Sequence, residues 1–226
     1  MHRSGSSLFA QWLHHNQVFI GHDLLEEAST NKYGHFEDMD FLNLHAAELM
    51  SSGLHRSGLY GDLSSLTLSD DFADAARKVV SDRSHLDVWA WKEPRTTLFL
   101  ESWKEAIPAL KVIILERPKA KVVDSLYQRF KKHKWYVTRN PLKSLAWFVD
   151  IDLRPGKWTR KFGEVCDHYE NCWKVIQQKH PDDLIVISLD DFLNNHAQVV
   201  HDLNQFLGLQ LPDDALAEVF DSGILH

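Results

Sequence analysis

Residues Leu110 to Leu115 read LKVIIL, a short apolar run rich in β-branched side chains, with Pro108 before it and Glu116-Arg117-Pro118 after it. Apolar residues on both alternating faces of so short a run suit a strand covered on both sides. Such strands belong to parallel sheets whose crossovers lay helices on the faces. Asp183 to Leu189 (DLIVISL) repeats the pattern, and Leu86 to Trp91 is a third strand-like run. Gln17 to Ile20, ending at Gly21, is a short strand or the extended exit of a first helix. The segments between carry helical periodicity and are long enough for crossovers. The expectation is an α/β fold in three layers, a mostly parallel central sheet with helices on both faces.

The helical stretches have recognisable ends. Phe41, Leu42, His45 and Leu49 share a face, with Glu37 and Asp38 at the start and Gly53 at the end. Leu54 to Leu68 has no clear period and is expected to be a loop; Asp70 to Arg83 returns to helix. Thr96 or Thr97 is placed to cap a helix carrying Phe99, Trp103 and Ile107, stopped by Pro108. Pro118 suits the first position of a helix whose inward face is Val122, Val123, Leu126 and Phe130. Leu142 to Gln178 is mainly helical with an interruption expected at Pro155-Gly156, and His196 to Leu207 closes the chain before Gly208.

The first seven residues, MHRSGSS, run straight into an apolar helical pattern of Leu8, Phe9, Trp12 and Leu13. The first turn of a helix has N–H groups without intrahelical partners and a partly positive dipole end. Gly5 lets the backbone approach an oxyanion, Ser4, Ser6 and Ser7 add donors, and Arg3 offers a guanidinium fork. The same residues also serve as a plain N-cap or a terminus. The pattern G-x-x-x-x-G-K-[ST] is absent, which disfavours an ordinary ATP or GTP hydrolase.

At 226 residues the length suits one larger domain, residues 1–226. The net charge of −7, from 25 Lys and Arg against 32 Asp and Glu, makes a nucleic-acid backbone an unlikely partner in charge terms. An anion must then be held by a local basic patch. One exists between Lys111 and Lys134, where eight basic side chains face two acids, Glu116 and Asp124. Arg117 stands apart within it, because it sits at a strand end, where ligands bind in open α/β sheets. Cys166 and Cys172, six apart in a helical segment, lie on different faces and are not expected to bridge. No apolar run of membrane-spanning length and no signal-peptide pattern is present, so a cytoplasmic location is expected. No H-E-x-x-H or C-x-x-C motif suggests a metal.

Three motifs together resemble the sulfotransferase family, which transfers a sulfuryl group from 3′-phosphoadenosine 5′-phosphosulfate (PAPS). HRSGSS at 2–7 looks like the family's 5′-phosphosulfate loop. Arg117 and Ser125, eight apart, resemble its 3′-phosphate motif, and Lys92-Glu93-Pro94-Arg95 resembles a K-[DE]-P-R element that follows a strand. VISLDDFL at 186–193 and LNQFLGL at 203–209 resemble the closing strand, acidic turn and final helix.

The resemblance implies a P-loop-type fold, PAPS as co-substrate and no metal. It implies that Arg3 and Ser4 to Ser7 hold the phosphosulfate, that Arg117 and Ser125 hold the 3′-phosphate, and that Lys92 reaches the transferring group. A general base is required at the acceptor. The His usual in one branch would fall at Pro94, so Glu37 is the expected base, with His35 and Glu93 in reserve. The family has a strand immediately before the loop, and the chain begins inside the loop. The expectation is an upstream extension or, alternatively, a truncated, catalytically inactive module that binds a nucleotide or a protein partner. The acceptor, whether small alcohol, amine, carbohydrate or lipid, and the oligomeric state are not legible in the sequence.

Overall fold

The computed structural model describes residues 1–25, 36–133 and 155–213. The helices are α1 (Ser6–His15), α2 (Met39–Ser51), α3 (Asp70–Ser81), α4 (Leu100–Ala106), α5 (Lys119–His133), α6 (Pro155–Lys179), α7 (Leu189–Asn194) and α8 (His196–Leu207). The strands are β1 (Val112–Glu116) and β2 (Leu184–Ser188), paired in parallel from Val112 with Leu184 to Glu116 with Ser188. Both are the runs whose composition marked them as buried, and the connection between them carries α5 and α6.

The sheet is smaller than expected. Gln17–Ile20 and Leu86–Trp91 do not form strands; they meet at one parallel bridge between Phe19 and Trp89. The described residues therefore show a two-stranded parallel sheet and helices, not the full three-layer arrangement. Ladder bonds need neighbours about 4.7–4.9 Å apart, and Val88 to Trp91 and β1 instead line a common cavity of about 790 Å³ without pairing.

Other boundaries moved for local reasons. Thr96 and Thr97 do not cap a helix: Pro94 starts a 3₁₀ turn, Pro94–Phe99, that holds both threonines and runs into α4. Its fixed φ suits a first helical position. Pro155 and Gly156 begin α6, which runs for 25 residues; residues 142–154, on which the expected interruption depends, lie outside the described residues. The 54–68 loop contains a short 3₁₀ turn, Leu63–Ser65. Gly208 ends α8 with φ 69, the left-handed conformation glycine takes without steric cost.

Two apolar clusters hold the site between them. In one, Phe9, Trp12 and Leu13 of α1 pack on Leu115, Ile187 and Phe192, fixing α1 against the carboxyl ends of both strands. In the other, Phe41 and Leu49 of α2 pack on Phe72, Phe99 and Trp103. Val122 and Leu126 of α5 are buried against Phe162 of α6, with Val123 and Phe130 half-buried beside them. Cys166 and Cys172 are free thiols. No helix among the described residues is long and apolar enough to cross a membrane.

Candidate functional site

The opening segment folds back as a loop over the carboxyl end of the sheet. Gly5 is the N-cap of α1 with φ 93, and a β-carbon there would stand 2.6 Å from the Leu189 side chain, so only glycine fits. Arg3 also has positive φ, 65, an uncommon conformation for a non-glycine residue. The first helical amides bonded in this turn are those of Leu8 and Phe9, both to the Gly5 carbonyl. Among the described residues the amides of Ser6 and Ser7 have no acceptor, leaving two donors at a positive helix end. Ser4 differs from its expected role in that its side chain is turned inward; its hydroxyl donates to the Met1 carbonyl at 3.0 Å.

Two groups of residues far apart in sequence meet at this loop. Arg3 Nε donates to Ser125 Oγ at 2.8 Å, and Arg117 Nη1 to the Arg3 carbonyl at 3.4 Å. The Arg3 guanidinium is pushed below its ordinary pKa by burial and then by the nearby charges of Arg129 and Arg117. Among the described residues none of these three arginines has a carboxylate partner. Like charges gathered without counter-ions make a place for an anion. Arg129, one helical turn beyond Ser125, was visible in the sequence only as one of the basic island's eight.

On the other side, Lys92 Nζ donates to Glu37 Oε1 at 2.8 Å and to Ser7 Oγ at 3.1 Å. Glu37 and Lys92 are nearly buried, their side chains 8% and 12% exposed. Burial pushes the Lys92 pKa down, against the pull of Glu37. Glu37 is placed by its neighbour Asp38, which caps α2 by accepting from the Asp40 amide at 3.0 Å and is anchored by Arg83 at 2.6 Å. The sequence joined Glu37 and Asp38 as capping acids; Asp38 alone caps, and Glu37 turns to Lys92. His35 lies outside the described residues.

Glu93 occupies a different position from the one its motif suggested. It is fully buried, accepting from His45 Nδ1 at 2.7 Å and from Arg95 Nε at 2.5 Å. Burial alone would raise its carboxyl, but the His45 hydrogen bond and the Arg95 charge outweigh that and hold it at about 2. An acid so weakly basic and so fully paired is unsuited to abstract a proton at neutral pH. Arg95 Nη2 lies 3.6 Å from Glu37 Oε2, which links the two carboxylates through one guanidinium. In the sequence Arg95 is marked only as the last residue of the Lys92 to Arg95 element, and His45 only as a histidine on an otherwise apolar helix face.

These groups make the fold acid-sensitive. Burial lowers the pKa of His2 from 6.5 to about 3 and also lowers that of His45. Below pH 6.5 the unfolded chain binds protons that the folded chain does not, so stability falls as pH drops. The Glu93 contribution, full above its ordinary 4.5, is lost as pH falls toward about 2. Both act in one direction. Denaturant midpoints measured from about pH 7.5 to pH 3.5 are expected to fall continuously; a flat profile below about pH 6.5 would contradict these placements.

Ser4, Ser6, Lys92 and Arg117 also line the cavity along β1, which therefore touches one member of the arginine cluster and one of the Glu37–Lys92 pair. Among the described residues no group of three or more His, Cys, Asp or Glu is arranged to hold a metal. A family model described as a sulfotransferase domain matches residues 1–224. No curated protein matches the chain, and no solved structure does.

Proposed function

Because the chain belongs to the sulfotransferase-domain family, we propose that residues 1–226 act as one domain that transfers a sulfuryl group from PAPS to a hydroxyl or amine. The observation that carries this reading is the meeting of Lys92, Glu37 and Ser7 beside the loop where Arg3 touches Ser125. A base, a cation and an anion-binding turn are the parts such a transfer needs, since the chemistry is mostly alignment and charge neutralisation.

In this reading Arg117, Ser125 and Arg3 bind the 3′-phosphate side of the nucleotide, and the amides of Ser6 and Ser7 take the 5′-phosphosulfate. Glu37 accepts the acceptor's proton as the new oxygen–sulfur or nitrogen–sulfur bond forms. The bond from sulfur to the bridging phosphate oxygen breaks, and its electron pair leaves with 3′-phosphoadenosine 5′-phosphate. Lys92 passes from Glu37 toward the sulfuryl oxygens as Glu37 is neutralised, so charge is balanced throughout. No metal is needed, because the cations are side chains.

The acceptor is a small molecule, a carbohydrate or a lipid, and a cytoplasmic location goes with this reading. The test is transfer of labelled sulfuryl from PAPS to a panel of hydroxyl and amine acceptors in the presence of a chelator, comparing the native chain with Glu37→Gln. Label leaving the nucleotide only with the native chain supports the proposal; label leaving equally with both overturns the base assignment.

A further inference from the structure

The Glu37 carboxylate is bonded unevenly. Its Oε1 accepts from Lys92 at 2.8 Å, whereas among the described residues no donor reaches Oε2. Arg95 Nη2 stands 3.6 Å from Oε2, too long for a hydrogen bond. That gap is unusual, because a guanidinium and a carboxylate brought so close, both nearly buried, ordinarily close into a forked pair.

Arg95 is held back by its other partners. Its Nε donates to Glu93 Oε1 at 2.5 Å and its Nη1 to the Arg56 carbonyl at 2.9 Å. Glu93 is fixed in turn by His45. Trp103 Nε1 donates to His45 Nε2 at 2.8 Å, so that ring nitrogen is the unprotonated one. The proton is then on Nδ1, which donates to Glu93 Oε2 at 2.7 Å. His45 and Glu93 have side chains fully shielded from solvent. Burial also pushes the His45 pKa down, which keeps the ring neutral and its one N–H committed.

We propose that His45 and Glu93 are positioning residues that hold Arg95 off Glu37, keeping Glu37 Oε2 open to take a proton. This inference rests on Glu37 being the base. The groups facing the two carboxylates are Lys92, Arg95, His45, His2, Tyr169 and the Met1 amino group. Burial lowers the Met1 amine to about 6 and His2 to about 3, and it raises the Tyr169 hydroxyl. Lys92 and Arg95 therefore carry the positive charge opposite Glu37 and Glu93, two against two. The Glu93 charge also holds the Met1 amine up, so that group's contribution near pH 6 changes in Glu93→Gln, whereas His45→Phe leaves the Glu93 charge in place and reads the limb without that change.

The experiment is the pH dependence of kcat for labelled sulfuryl transfer in the native chain, Glu93→Gln, His45→Phe, His45→Asn and the double variant Glu93→Gln/Arg95→Gln. Releasing Arg95 lets it close on Glu37 and stabilise the carboxylate. The acid limb is then expected to move to lower pH, and the plateau to fall about tenfold as the base weakens, with KM for PAPS nearly unchanged. His45→Phe should behave as Glu93→Gln. His45→Asn, which keeps a donor where Nδ1 stood, should keep the native limb.

The double variant removes both charges of the pair and the cation that would close. It should therefore fold readily and return the limb to its native position. A merely structural role for the pair would lower the folded fraction without moving the limb. An acid limb at the native pH in both Glu93→Gln and His45→Phe, or a shifted limb in the double variant, overturns the positioning role. The two readings fail separately. Full activity in Glu37→Gln removes the base assignment, whereas an inactive Glu37→Gln with an unmoved limb in Glu93→Gln removes this inference alone.

Discussion

Glu37→Gln is expected to slow sulfuryl transfer by about 10²- to 10⁴-fold, the usual contribution of a positioned general base, while nucleotide affinity stays nearly constant. The amide is close in shape to the carboxylate and can still accept from Lys92 through its oxygen, so the pocket keeps its geometry. What it loses is the ability to take a proton. The substitution also removes one of the two negative charges that face Lys92 and Arg95. Single-turnover transfer from labelled PAPS measures the chemical step directly. A rate within about threefold of the native chain would mean that another group takes the proton.

Arg83→Met is expected to cost about 3–5 kcal/mol of stability, the range for leaving a buried charge without its partner. Arg83 and Asp38 have side chains 2% and 1% exposed, and Nη2 reaches Asp38 at 2.6 Å and Asp40 at 2.7 Å. The same guanidinium lies over the rings of Phe41 and Trp89, so its loss also loosens the packing of α2. Methionine refills much of the volume but leaves the carboxylates behind. Burial already raises the Asp38 pKa, and without Arg83 the group would take up a proton rather than remain charged, which moderates the cost. For a chain of this length the thermal midpoint should fall by on the order of 10 °C. Adding Asp38→Asn should recover part of the loss. A midpoint unchanged by Arg83→Met would mean that this pair does not anchor the start of α2. Because Asp38 adjoins Glu37, the same anchor fixes the proposed base.

Much of this arrangement was legible because it is local. LKVIIL and DLIVISL declare strands by composition alone, although only Val112 and Leu115 in one and Leu184 and Ile187 in the other are buried, and Gly208 and Pro118 mark helix ends by backbone geometry. The opening loop was legible as the start of a helix, since a glycine and serines precede an apolar helical pattern, and Gly5 is the N-cap of α1. What the sequence did not disclose depends on contacts between distant segments. Nothing near Lys92 indicates that Glu37, 55 residues earlier, would face it, nor that Arg3 would meet Ser125 across 122 residues. Glu93 and Arg95 belonged to a recognisable tetrapeptide, yet their roles were set by His45, which arrives from α2. Leu86–Trp91 failed as a strand for a similar reason. Its composition is strand-like, but a ladder needs a neighbour within bonding distance, and Val88 to Trp91 and β1 line a common cavity without pairing.

The central claim is that this chain binds a 3′-phosphorylated adenine nucleotide between its opening loop and the start of α5. Thermal unfolding with 3′-phosphoadenosine 5′-phosphate tests it most directly, with ATP and Mg²⁺ as control and Arg117→Ala as the second protein. At 100 times its dissociation constant the nucleotide should add about 2.7 kcal/mol, a rise of several degrees for a chain of this size. The expected result is a rise with the 3′-phosphorylated nucleotide, a much smaller one with ATP, and its loss in Arg117→Ala. No rise in the native chain, or an equal rise in the Arg117 variant, would contradict the account.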